Sequence, residues 1–121
     1  MIEQVKSSIT KAFEHFNQKD GIAMKDIRIK IVKNNGALDY TLMNKVDVVR
    51  PTSLTEMIGA MNSMLAKSTL HSSMEKLIKE NGLDECMANL RLYPLGDNSP
   101  SSYLYNQGQP LKQIDISTLI N

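Results

Sequence analysis

The sequence predicts an α+β fold: a single domain over residues 1–121, with a mostly antiparallel sheet and helices packed mainly on one face. Three observations carry this. Asn35-Gly36 sits between two alternating apolar runs, 26–33 and 37–49. An Asn-Gly pair in that setting is the strongest short-range hairpin signal, because both central residues of a type I′ turn need positive φ. The register this turn imposes puts Ile27, Ile29 and Ile31 on one face, with Ile29 opposite Leu42 and Ile31 opposite Tyr40. Arg28, Lys30, Thr41 and Lys45 fall on the reverse. A hairpin wet on one side must lay its other side on something, and the flanking segments have helical spacing.

The expected element order is helix, two strands, two helices, two strands, then a third strand or a short helix. Ile2, Val5, Ile9, Ala12, Phe13 and Phe16 recur three and four apart, which predicts a helix over 2–18. Asp20-Gly21 ends it, since Gly enters the left-handed conformation without a Cβ penalty. After the hairpin, Arg50-Pro51-Thr52 breaks the second strand. Ser53-Leu54-Thr55-Glu56 reads as a capping box, opening a helix to about Ala66 with Leu54, Met57, Ile58, Met61 and Leu65 as its buried stripe. Ser72-Ser73-Met74-Glu75 repeats the pattern and opens a second helix, or one beginning nearer Ser68, which closes at Asn81-Gly82. Leu90-Arg91-Leu92-Tyr93 alternates as a strand. Residues 94–102 are rich in Pro, Gly, Asn, Asp and Ser and form a loop. Tyr103-Leu104-Tyr105 is a return strand, Gln107-Gly108 a turn, and 111–120 a strand or helix. No internal repeat is evident.

Composition narrows the class. At 121 residues and 41% hydrophobic, the chain is long enough to bury one core without staples and too apolar for disorder. A net charge of +1 gives no large basic footprint and no acidic tail. Cys86 is the single cysteine, which rules out an intrachain disulfide and reads as a buried structural thiol. The N-terminal residues lack a signal-peptide pattern, and no apolar stretch approaches the ~18 residues of a membrane span. A cytoplasmic location is expected, with no membrane partner.

Catalytic motifs are missing: there is no His-Glu-x-x-His, phosphate-loop lysine, Gly-x-Ser-x-Gly or dinucleotide fingerprint. Two His and one Cys are a poor basis for a transition-metal site, and no cofactor is implied. The expected function is therefore non-catalytic: a small adaptor or assembly subunit, binding a protein partner or itself as a homodimer. Met43, Met64, Tyr103 and Tyr105 are the expected contact residues, acting through a helix face or a sheet edge. The alternative is DNA binding through 53–106, whose element order matches a winged helix-turn-helix. There Thr69, His71, Ser72, Lys76 and Lys79 would meet the duplex. Near-neutral charge, Glu75 and Glu80 within the basic face, and an acidic wing at Asp97-Asn98-Ser99 weigh against it. Two smaller signals remain. Arg28 and Lys30 offer an anion a place on the hairpin's polar face, and Tyr93, Tyr103 and Tyr105 offer rings for stacking.

Overall fold

Six antiparallel strands form one sheet in the order β3-β2-β1-β4-β5-β6. The structure, a computed structural model, describes residues 2–94 and 101–120. Helix α1 (Ile2–Asp20) leads through a 3-10 turn (Met24–Asp26) into β1 (Ile27–Asn34), β2 (Ala37–Asn44) and β3 (Asp47–Thr52). Helices α2 (Leu54–Ile58) and α3 (Ala60–Glu80) follow, then β4 (Ala88–Tyr93), β5 (Ser101–Asn106), β6 (Gln109–Ile114) and α4 (Ile116–Ile120). The α+β class and the single antiparallel sheet match the sequence expectation. So does the first hairpin: Asn35 and Gly36 take φ of 51° and 82°, and Ile29 faces Leu42 while Ile31 faces Tyr40.

Three boundaries differ from expectation. The run 37–49 is two strands, because Lys45 turns at φ 55° and its N–H donates to the Asp26 carbonyl at 2.7 Å. The β-branched Val46, Val48 and Val49 hid this turn, and β3 continues through Pro51, as an edge strand allows. The helices divide at Gly59 (φ 84°) rather than near Ser72. Ser73 Oγ instead bonds the Thr118 and Leu119 carbonyls at 3.3 and 3.2 Å, holding α4 against α3. The tail 109–120 holds both a strand and a helix.

A fourth difference is architectural: the chain folds as two copies of one unit. Each copy is a long helix, a three-stranded meander and a five-residue helix. They join where β1 pairs β4, with Lys30 facing Arg91, Ile29 facing Leu92 and Ile31 facing Leu90. A shift of 61 positions carries Lys30 onto Arg91, and it carries Ile29 onto Leu90 and Ile31 onto Leu92. A local two-fold axis therefore passes through the Lys30–Arg91 pair. The likeness extends to detail. Lys45 and Gln107 turn at φ 55° and 53°, and each outer hairpin carries its bulge at the same place, between Leu42/Met43 and between Leu104/Tyr105. Ser53 caps α2 through the Glu56 amide at 3.0 Å; Asp115 accepts the Ser117 amide at 2.9 Å at the start of α4.

All four helices cover one face. Phe13, Phe16 and Met74 from the long helices bury Ile27, Ile29, Ile31, Leu42, Leu90 and Leu104. An apolar cavity of about 30 Å³ lies among Ile9, Leu70, Ile31, Leu92, Leu54 and Ile116, which are matched pairs across the two-fold. Its aliphatic lining offers a water no hydrogen-bond partner.

An ion cluster locks the first unit. Arg50 Nε and Nη2 donate to the two Asp20 oxygens at 2.9 and 3.0 Å. Its Nη1 and Nη2 reach the two Glu56 oxygens at 2.9 and 2.7 Å. Thr52 Oγ1 and His15 Nε2 add contacts to Glu56 at 2.7 and 3.1 Å. One guanidinium thus ties the end of α1, strand β3 and α2. It also draws the Glu56 side chain away from the reciprocal capping role, leaving half of the expected box. The second unit has Lys112, Asn81 and Thr118 at these places and no such clamp. The Arg50 guanidinium holds the Glu56 and Asp20 carboxyls below the usual carboxylate range. Carboxyls depressed on folding stabilise the fold above their unfolded pKa, and that contribution is lost as pH falls through the folded value. Arg50→Ala is expected to cost roughly 2 kcal/mol at neutral pH and to flatten the acid limb of stability below about pH 4.5. Lys112→Ala is expected to stay within about 0.5 kcal/mol. Urea denaturation across pH measures both.

Candidate functional site

Because every helix among the described residues lies on one side, no helix covers the other face of the sheet, the open face. Strand pleating sends alternate side chains there. From β1 these are Arg28 and Lys30, from β4 Arg91 and Tyr93, and from β5 Ser101, Tyr103 and Tyr105, as the register requires. The Lys30–Arg91 pair places two like charges directly opposite each other, which disfavours pairing unless something compensates. Arg28 adds a third cation two residues along β1. Among the described residues, no carboxylate lies within ion-pair distance of these three.

The guanidinium groups are held in place by stacking. The Arg28 Cζ lies 4.4 Å from the Tyr93 ring centre, and its Nη1 donates to the Lys25 carbonyl at 2.8 Å. The Arg91 Cζ lies 4.2 Å from the Tyr105 ring centre, and its Nε donates to Asn89 Oδ1 at 3.2 Å. Both are cation–π geometries. The Tyr93 and Tyr103 rings meet edge to face at 5.3 Å, and the Tyr93 and Tyr105 hydroxyls are hydrogen-bonded to each other. Burial, aided by that bond, pushes the Tyr93 phenol up to about 12. A cleft of about 360 Å³ opens beside this array, lined by Lys25, Arg28, Tyr93, Ser101, Tyr103 and Pro110 among others. Ser101 is 5% exposed, and its Oγ has no hydrogen-bond partner among the described residues.

Chemically this is an array of donors. Guanidinium groups keep their protons at any ordinary pH, and the Tyr93 phenol, raised to about 12, keeps its own. The surface therefore suits an anion. Its three tyrosines belong to one unit only. Where β4 and β5 carry Tyr93, Tyr103 and Tyr105, the matching places on β1 and β2 hold Val32, Thr41 and Met43.

Of the expected contact residues, Tyr103 and Tyr105 lie in this array. Met43 points to the same face but is 4% exposed. Met64 is remote, on α3, and 82% exposed beside Met61 at 78% and Leu65 at 53%; Met61 and Leu65 were expected in the core. The displaced helix break explains this, since Met57 and Ile58 on α2 fill the core instead. Thr69, His71, Ser72, Lys76 and Lys79 lie along one continuous helix, α3, which follows the five-residue α2 after Gly59. His71 faces Glu75 and Lys76 faces Glu80, each at 3.9 Å. The proposed wing tip, 97–99, lies outside the described residues. Cys86 is exposed rather than buried, with its thiol raised by the bond to Asp84 Oδ1 at 3.2 Å.

Arg91 and Ser101 escaped the sequence reading. The alternation of Leu90-Arg91-Leu92-Tyr93 marks a polar outer face, but not that Arg91 meets Lys30. Among the described residues, no group of three or more His, Cys, Asp or Glu is placed to hold a metal, and no helix is long and apolar enough to cross a membrane. No family model, curated protein or solved structure matches the chain.

Tyr40 is the other phenol raised to about 12, by burial and then by Asp39. In an ultraviolet alkaline titration, Tyr40 and Tyr93 are expected to ionise near pH 12. Tyr93→Phe is expected to remove one of these late transitions while Tyr40→Phe removes the other.

Proposed function

We propose that this protein is a non-catalytic binding module that receives an anionic partner on the open face of its sheet. The observation that carries this is the trio Arg28, Lys30 and Arg91, unpaired with any carboxylate among the described residues in a chain of net charge +1. Elsewhere some bases are matched, as Lys33 is by Glu85 at 2.9 Å and Arg50 by Asp20 and Glu56; what sets the trio apart is that its members share one face of the sheet on adjacent strands. Arg28 and Arg91, stacked on Tyr93 and Tyr105, are preorganised, so little of their side-chain entropy remains to be lost on binding. Tyr103 and Tyr105 serve as the contact residues.

The sheet edges are poor templates for strand addition. Edge strands β3 and β6 carry Pro51 and Pro110, and each is bulged against its neighbour; proline and bulges are the usual devices that block edge pairing. Binding therefore belongs to the face rather than the edge.

A second reading, self-assembly through a helix, has its own observation: Met61, Met64 and Leu65 project from one side of α3. An oligomeric solution mass converted to the monomer by Met64→Lys would support it, and a monomer at high concentration would remove it.

The binding reading is tested by amide-resolved NMR with two anionic probes, octaglutamate and octathymidylate. At least one is expected to shift amides in 28–30, 89–93 and 101–105, with the shifts lost in Lys30→Glu/Arg91→Glu. No shift with either probe, or shifts confined to α3, would overturn it.

A further inference from the structure

Resting on that reading, we infer that the occupant of the open face is single-stranded nucleic acid, with phosphates on Arg28, Lys30 and Arg91 and one base in the cleft beside Tyr103. An anion alone needs only the cations. The cleft adds what a carboxylate chain cannot use: flat rings from Tyr93, Tyr103 and Tyr105 with Pro110 at the rim. A ligand that satisfies both halves carries a planar π-face and an anionic group in each repeat, as a nucleotide does. At about 360 Å³ the cleft falls at the small end of ligand sites, which suits one base rather than a large cofactor.

Spacing points the same way. Lys30 and Arg91 face each other across the β1–β4 pair, where side chains stand about 5 Å apart. Arg28 lies two residues from Lys30 along β1, about 7 Å away at the rise of a strand. A row of that reach matches successive phosphates of an extended strand. Arg28 and Arg91, over the Tyr93 and Tyr105 rings, place their charges beside the aromatic groups that line the cleft. A paired duplex cannot deliver a base into the cleft. That geometry separates this surface from the acidified face of α3.

The test is fluorescence anisotropy with labelled octathymidylate, octauridylate, an eight-base-pair duplex and octaglutamate as probes. The single strands are expected to bind at least tenfold more tightly than the duplex and octaglutamate. Three phosphate contacts predict a slope of log K against log salt of about −2, and Arg91→Ala reduces its magnitude by about 0.7. Tyr103→Ala is expected to weaken binding roughly ten- to a hundredfold without changing that slope; Tyr103→Phe keeps the ring and restores binding. A ratio between octathymidylate and octauridylate reports which sugar is preferred, and binding of either supports the inference. Octaglutamate binding as tightly as the single strands, or Tyr103→Ala binding normally, would overturn this inference while leaving the anion-binding face intact. Failure of every probe would overturn both.

Discussion

The β1–β4 pairing is the constraint on which the rest of the molecule depends. Without it there are two three-stranded meanders, each with one long helix and each with an exposed inner strand. With it, one six-stranded sheet forms, and Ile29, Ile31, Leu90 and Leu92 come together at its centre, at most 3% exposed. The pairing is short: three partnered positions centred on Lys30 and Arg91. Its strength comes from the apolar layer beneath, where each matched Ile or Leu pair removes two large side chains from water, each contributing about 1.5–3 kcal/mol. The two cations above are tolerated for that reason, held apart from the core by the pleat, with Arg91 stacked on Tyr105.

The pairing also separates what the two halves retain in common from what differs. On the helix-covered face the halves match closely: Ile29 with Leu90, Ile31 with Leu92, Leu42 with Leu104, Leu54 with Ile116. Packing there tolerates little, because interiors fill like crystals and a change of one methylene is felt. On the open face no helix lies over the side chains, and although Met43 and Ser101 are buried by their neighbours, packing limits most positions there less. There the halves part company, with Val32, Thr41 and Met43 on one and Tyr93, Tyr103 and Tyr105 on the other. The ionic clamp at Arg50 shows the reverse asymmetry. One half carries the charged lock and the other carries the tyrosine rings.

Local signals were legible in the sequence and long-range ones were not. The Asn35-Gly36 turn, the register it sets, the isoleucine face and the Ser53 cap all follow from neighbours within a few residues. The repeat was obscured although its traces are present: Lys6-Ser7-Ser8-Ile9 corresponds to Lys67-Ser68-Thr69-Leu70, and Asp20-Gly21-Ile22 to Asn81-Gly82-Leu83. Few identities survive because core positions exchange one aliphatic for another, and the unequal β1–β2 and β4–β5 connections shift the alignment by one position. The false break near Ser72 arose because a serine followed by Glu three positions later resembles a cap wherever it falls; only tertiary packing recruits Ser73 to α4 instead. Tyr103 and Tyr105 could be selected as contacts, yet the guanidinium groups that complete their site come from strands distant in sequence. Arg28 reaches Tyr93 only through the β1–β4 pair, which no periodicity announces.

The site therefore depends on the join between the halves and on features present in one half alone. Arg28 and Lys25 come from the first unit; Arg91 and the three tyrosines come from the second. A symmetric pair of units would place matching groups on both sides of the two-fold, and two half-sites would face each other across Lys30 and Arg91. Replacement of the tyrosine positions by Val32, Thr41 and Met43 leaves one cleft instead of two, with its cations drawn from both units. Such a cleft has a direction: Tyr103 and Ser101 at one flank, Lys30 and Arg28 toward the other. Direction is what a polar, repeating ligand needs in order to lie one way and not the other, and a symmetric sheet face could not supply it.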